Sequence, residues 1–324
     1  RYAQPVNYIG FWIMALTIVG GFVGAVIAVF VNPKLATFTL PMFKAWDAGV
    51  KGAFQPLWPM LFVTIACGAV SGWHSLISTV GTARQLENET DALPVGGGAM
   101  FSENLLAILA LMAISVGTAG GGAAAFAAGV GGFLSVFGLD VKYGTALAFA
   151  AFVIIVITVL QLVIRFMRVS LTEWLGDSIP AMRNMHVGTI ISAALMFFVV
   201  LSGTFTYLFQ LFGGANQLMA SLALMLVGLW LTADGKKATW VWIPMIFMYV
   251  TTIVANLITA WNMYASIIAP NLGKAGYEVP IVGAVGLILC ALFLVGAALY
   301  LGWEGWKAYS KLKAKAPLAA PATA

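Results

Sequence analysis

Leu57-Trp-Pro-Met-Leu-Phe-Val-Thr-Ile-Ala-Cys-Gly-Ala-Val-Ser-Gly-Trp-His-Ser-Leu-Ile-Ser-Thr-Val80 is long enough to cross a bilayer, yet its second half is too polar to face lipid. A hydrocarbon core of about 30 Å is spanned by about 20 apolar residues. Gly68, Ser71, Gly72, His74, Ser75 and Ser78 crowd the far end of this segment. A polar group in hydrocarbon needs a partner or a wet cavity, so the segment is expected to face protein, water or a solute.

Residues three or four apart share a helix face. Thr64, Cys67, Gly68, Ser71, His74, Ser75 and Ser78 follow that spacing and make one small, polar stripe opposite Leu61, Phe62, Ile65 and Trp73. Two readings fit. One is close helix packing through small residues. The other is a helix that unwinds between Gly68 and Gly72, freeing backbone groups to bind a solute or ion, with His74 as a nearby proton carrier.

Around this segment the chain is 62% apolar and 8% charged over 324 residues, against roughly 25% charged in an average soluble domain. The fold class is therefore an all-α polytopic membrane bundle. Spans are expected at 9–31, 57–80, 100–118, 143–164, 189–207, 216–233, 240–262 and 281–302. The stretch 121–138 either spans or is re-entrant, because its many glycines weaken a helix by up to about 1 kcal/mol each. The sizeable loops are expected at 32–56, 81–99 and 165–188, with a shorter one at 263–280.

The net charge of +5 is spread over loops, which suits membrane topology rather than nucleic acid. Lys307, Lys311, Lys313 and Lys315 follow Trp303, Trp306 and Tyr309, the pattern of a helix end at a cytoplasmic leaflet. Residues 307–324 are read as a basic, then Ala/Pro-rich disordered tail after a transmembrane domain at 1–306. Cys67 and Cys290 sit in different apolar segments and are expected to be buried thiols.

Further polar residues are candidates for coupling or gating. Glu103 and Asn104 are expected at the start of the third span, near its boundary. Asn216 and Gln217 are expected in a polar break between spans, with helix capping or a hairpin as the plainer role. Thr251, Thr252, Asn256 and Thr259 give a weaker stripe in the seventh span. His186 is placed in a loop, which leaves His74 as the histidine within a span. No cofactor or metal is expected: the His-Glu-x-x-His and phosphate-loop patterns are missing, and Ser71 with His74 lacks the surroundings of a serine nucleophile.

Thr64 to Ser78, then Gly81-Thr-Ala-Arg-Gln-Leu-Glu-Asn-Glu89 and Gly97-Gly-Ala-Met-Phe-Ser-Glu103, closely resemble the carbon starvation protein A (CstA) family. Gln4-Pro-Val-Asn-Tyr-Ile9 and Leu211-Phe-Gly-Gly-Ala-Asn-Gln-Leu-Met-Ala220 are further landmarks in family order. The resemblance implies an inner-membrane secondary transporter related to the amino acid/polyamine/organocation transporters, with an inverted repeat and broken helices, and Cys67 to His74 as one break. It implies peptide uptake during nutrient limitation, or proton-coupled pyruvate or small organic acid uptake. The implied partners are a small-molecule solute (peptide or small carboxylate), protons and the lipid bilayer, with no nucleic acid. It favours a cytoplasmic 81–99 loop and a re-entrant 121–138. Family members carry further spans before the Gln-Pro motif, so a fragment, a short form, or a scaffold or accessory subunit of a split transporter are the alternatives.

Overall fold

A computed structural model describes residues 3–47, 49, 53–65, 70–75, 83–116 and 122–315. Its helices are α1 (Ala3–Val31), α2 (Phe62–Ile65), α3 (72–75), α4 (Gly98–Ser115), α5 (Gly122–Leu134), α6 (Val141–Leu175), α7 (Met185–Leu201), α8 (Phe205–Ala233), α9 (Thr239–Met263), α10 (Ala269–Asn271) and α11 (Glu278–Lys315). Among the described residues the only strand-like feature is a bridge between Asp47 and Pro56. The fold is an all-α membrane bundle. Six of its helical stretches are long and apolar enough to cross a bilayer: Pro5–Val31, Glu89–Ser115, Val141–Leu175, Tyr207–Ala233, Thr239–Asn271 and Glu278–Ala314.

The chain divides into two compact units. The first comprises Arg1–Lys44 and Gly98–Phe197, and the second Ala45–Gly97 and Phe198–Ala324. In the first unit the glycine-rich stretch is the packing centre. α5 buries Ala125, Phe126, Ala127, Gly129, Val130, Gly131, Phe133 and Leu134, joined by Ala25, Leu109, Ala113 and Ala148 from α1, α4 and α6. A Cβ on Gly129 would strike the Ala113 backbone, and one on Gly131 would stand 2.6 Å from Thr145 N. The glycines that cost helix propensity thus let three helices approach backbone to backbone. α5 has 13 residues, a rise of only about 20 Å.

Several expected boundaries move. α6 runs to Leu175, so Arg165 and Arg168 lie on a helix rather than in a loop. The reason is local: Thr172 Oγ1 donates to Arg168 O at 3.0 Å and Met182 O at 2.8 Å, tying the end of α6 to the returning chain. A Cβ on Gly188 would stand 2.8 Å from Arg168 Cγ, so the arginine's alkyl stem packs under α7. His186 falls in the first turn of α7, where its N–H is capped by Asn184 Oδ1 at 2.9 Å. α11 continues through the basic stretch to Lys315, with Cys290 exposed on it; residues 316–324 lie outside the described residues.

The second unit is built on α8 and α9, joined by a short turn in which Gly235 adopts φ +70°. α11 packs against both, burying Ala284, Leu287 and Ala291 with Leu211, Ala260 and Met263. The extended chain before α2 is held by Asn262, whose Oδ1 accepts from Phe54 N at 2.9 Å and whose Nδ2 donates to Phe54 O at 2.7 Å. Trp58 Nε1 donates to Thr251 Oγ1 at 3.1 Å, and Phe62 meets Phe247 edge-on at 5.4 Å.

Candidate functional site

The segment 57–80 does not form one straight helix. A wide turn over Leu57–Leu61 leads into α2, Val70 and Ser71 are non-helical, and 72–75 is helical again. Cys67, Gly68 and Ser78 lie outside the described residues. An interrupted helix strands carbonyls at the end of one half and N–H groups at the start of the other, and hydrocarbon supplies no replacement partners. Here α8 supplies them. Gln217 Nε2 donates to Phe62 O at 2.8 Å and Val63 O at 3.3 Å. Asn216 Oδ1 accepts from Trp73 N at 2.7 Å and from Ser71 Oγ at 3.2 Å. Ser71 also receives the His74 N–H at 3.4 Å, the spacing of an N-cap serine.

These bonds require backbones to come close, which only small residues permit. A Cβ on Gly72 would collide with Asn216 O and Ala220 N, and one on Gly213 would stand 2.6 Å from Val63 O. Asn216 and Gln217 are 1% and 0% exposed. They lie in the middle of a continuous α8 and not in a polar break between spans, which corrects the expectation drawn from Gly213 and Gly214. The paired glycines tempt a turn reading, but packing against Val63 and Asn256 overrides their low helix propensity.

A second polar set adjoins this junction. Gly214 lies against the amide of Asn256 on α9, and Ala255 packs with Met60 and Val63. Asn256 Oδ1 and Nδ2, Gln217 Oε1 and Thr259 Oγ1 are buried with no hydrogen-bond partner among the described residues. Each of those three residues is at most 1% exposed. Such groups are costly inside a bundle unless something else satisfies them. These donors and acceptors carry no net charge, so their chemistry matches an amide or carbonyl group rather than an ion.

The remaining expected site residues scatter. Thr64 is exposed, back-bonds to Met60 O at 2.7 Å and lines a cavity of about 210 Å³ with Gln55, Pro56 and Leu57. His74 is exposed, and Ser75 Oγ donates to Gly72 O at 2.9 Å. Val70 and Ser71 are non-helical, so the stripe expected from Thr64 to Ser78 is not one continuous helix face. Glu103 and Asn104 belong to the first unit. Glu103 falls near the middle of the stretch Glu89–Ser115 and not at its boundary, because the helical turns begin upstream of Gly98. Asn104 Nδ2 bonds to Met100 O of its own helix at 3.1 Å. Asn262 was missed; it continues the register of Asn256 and Thr259 at steps of three, and that spacing was the available signal.

A family model described as carbon starvation protein CstA matches residues 1–119 and 112–255. The peptide transporter CstA of Bacillus subtilis (strain 168) is 26% identical over 347 aligned residues, covering 89% of this chain and 56% of that protein. The pyruvate/proton symporter BtsT of Escherichia coli (strain K12) is 43% identical over 116 residues, covering 35% of this chain and 15% of the symporter. The peptide transporter CstA of Campylobacter jejuni is 28% identical over 271 residues, 62% of this chain and 38% of the relative. The chain thus spans about half the length of the Bacillus relative or less in the others, and these relatives are named as transporters, not enzymes. No solved structure matches. The matched region takes in α2, α3 and α8 with the side chains that close the break, and on that footing the chain belongs to the carbon starvation protein CstA family.

Proposed function

We propose that this chain forms part of a secondary active transporter that takes up peptides, coupled to protons, by alternating access across the inner membrane, with its C-terminus in the cytoplasm. The observation that carries the reading is the interrupted helix at Val70–Ser71, closed by Asn216 and Gln217 and bordered by the unpartnered polar atoms of Gln217, Asn256 and Thr259. A peptide presents amide donors and acceptors that match this set, and a broken helix is the usual device for placing such groups at mid-membrane. Ser71, Gly72, Gln217, Asn256 and Thr259 are assigned to the solute site, and Thr64 and Ser75 to its approach. His74 and Glu103 are assigned to proton coupling, and Asn104 and Asn216 to gating.

The test is uptake of labelled di- and tripeptides by cells expressing the chain, with and without a protonophore. Protonophore-sensitive peptide uptake supports the proposal, and peptide uptake unaffected by the protonophore sinks the proton coupling. A second reading, a pyruvate or small organic acid symporter, is favoured by the likeness to BtsT; labelled pyruvate taken up in place of peptide would establish it. Uptake that needs a co-expressed second polypeptide would make the chain a subunit of a split transporter.

A further inference from the structure

In the second unit, α8, α9 and α11 enclose a groove of about 550 Å³ at the end where α8 stops, α9 begins and α11 runs on into its basic stretch. Its α11 wall is one helical stripe, Gly302, Gly305, Trp306, Tyr309 and Lys313, at steps of three and four residues. The two glycines make room: a Cβ on Gly302 would collide with Tyr249 Oη, and one on Gly305 with Met225 Sδ. Tyr249 is fixed by donating to Ala298 O at 2.6 Å, and Trp242 meets Tyr309 edge-on at 5.0 Å.

The chemistry changes along the groove's length. From Tyr249 and Gly302 up to Ile246 the lining is apolar or aromatic, and Lys313 lies at the other end. Trp230, Trp240, Trp303 and Trp306 are exposed around the same end, as expected of side chains at a headgroup layer. Lys236 pairs with Asp234 at 3.5 Å and Lys307 with Glu304 at 2.8 Å, whereas Lys313 takes part in none of the ion pairs among the described residues. An apolar channel ending at an aromatic belt in an ammonium that is unpaired among the described residues is complementary to an anionic amphiphile.

We infer that this groove is a binding site for an anionic phospholipid, whose acyl chain lies between α9 and α11 and whose phosphate pairs with Lys313. Basic pockets between membrane helices bind such headgroups. The inference needs only the membrane character of the fold and is independent of the transported solute.

The test is native mass spectrometry of the purified chain titrated with dioleoyl phosphatidylglycerol or dioleoyl phosphatidylcholine. The unmodified protein is expected to bind the phosphatidylglycerol about fivefold more tightly, one lysine's share of the surface attraction. Lys313→Gln removes that preference and leaves phosphatidylcholine binding unchanged. Ile246→Trp, a change at a side chain 56% exposed on the groove's rim, fills the channel and weakens both lipids. Equal affinity for the two lipids in the unmodified protein, or a preference that survives Lys313→Gln, overturns the headgroup assignment. Lipid binding undisturbed by Ile246→Trp overturns the placement of the acyl chain.

Discussion

Gly213→Ala is the sharpest probe of how the interrupted helix is held. A Cβ at Gly213 would stand 2.6 Å from Val63 O and 3.1 Å from Val63 Cγ1. Carbon and carbonyl oxygen approach to about 3.3 Å, so the substitution must push α2 back by about 0.7 Å. The bonds from Gln217 to Phe62 O at 2.8 Å and Val63 O at 3.3 Å then open to about 3.5 and 4.0 Å, at or past the useful limit. Overpacking costs about 1–3 kcal/mol, and the weakened interhelical bonds add about 1 kcal/mol. The better helix propensity of alanine offsets about 0.5–1 kcal/mol. The net loss is about 1–3.5 kcal/mol. Gly286→Ala is the matched control, since a Cβ there meets nothing within 4 Å, and it should be neutral or up to about 1 kcal/mol more stable. Unfolding by sodium dodecyl sulfate in mixed micelles, followed by circular dichroism, reads both. Coincident transitions for the two variants would refute the claim that α2 is pinned against α8.

Other substitutions separate holding from binding. Asn256→Leu replaces two atoms unpartnered among the described residues by methyl groups on the same branched skeleton; it should raise stability by about 1–2 kcal/mol and abolish peptide uptake, and uptake at the unmodified rate would remove Asn256 from the site. Asn262→Ala deletes both bonds to Phe54 and should cost about 1–2 kcal/mol, with faster proteolysis between residues 45 and 56; an unchanged cleavage rate would show that the extended segment is held elsewhere. His74→Ala should leave the detergent melting temperature unchanged and remove protonophore-sensitive uptake. If the pH dependence of uptake persists in that variant, His74 carries no coupling proton.

Hydrophobicity alone made the membrane bundle legible, because a long apolar run has no other stable environment, and the interruption at Ser71 was legible because polar and glycine residues sat where lipid would reject them. What failed was local: Gly213, Gly214, Asn216 and Gln217 look like a turn when only neighbours in sequence are weighed. Their helical state is set by contacts 140 to 155 residues away in the chain, to Ser71, Trp73, Phe62 and Val63, which no periodicity reveals. Arg165 and Arg168 misled in the same way, since charge signals a helix end only if the alkyl stem has nothing to cover, and Arg168 covers Gly188. The glycines of α5 signal backbone freedom in the sequence, whereas the packing uses their missing side chains.

The two amide side chains on α8 are adjacent in sequence and divide the labour at the break. Asn216 serves the N–H side through a single oxygen that accepts twice, and Gln217 serves the carbonyl side through a single nitrogen that donates twice. That leaves Gln217 Oε1, like both amide atoms of the buried Asn256, with no hydrogen-bond partner among the described residues. If polar residues were present only to zip helices together, the low dielectric of the bundle would select arrangements in which each donor meets an acceptor. Among the described residues Asn216 and Gln217 meet Ser71 Oγ, Trp73 N, Phe62 O and Val63 O at the break, whereas Gln217 Oε1, both amide atoms of Asn256 and Thr259 Oγ1 meet no hydrogen-bond partner. A residue that stabilises the broken helix with one end of its amide and offers the other end to a ligand couples the two by construction. On the proposed reading, a solute drawing on Gln217 Oε1 would pull on the same side chain that bonds Phe62 O and Val63 O, so occupancy and the geometry of the break would change together.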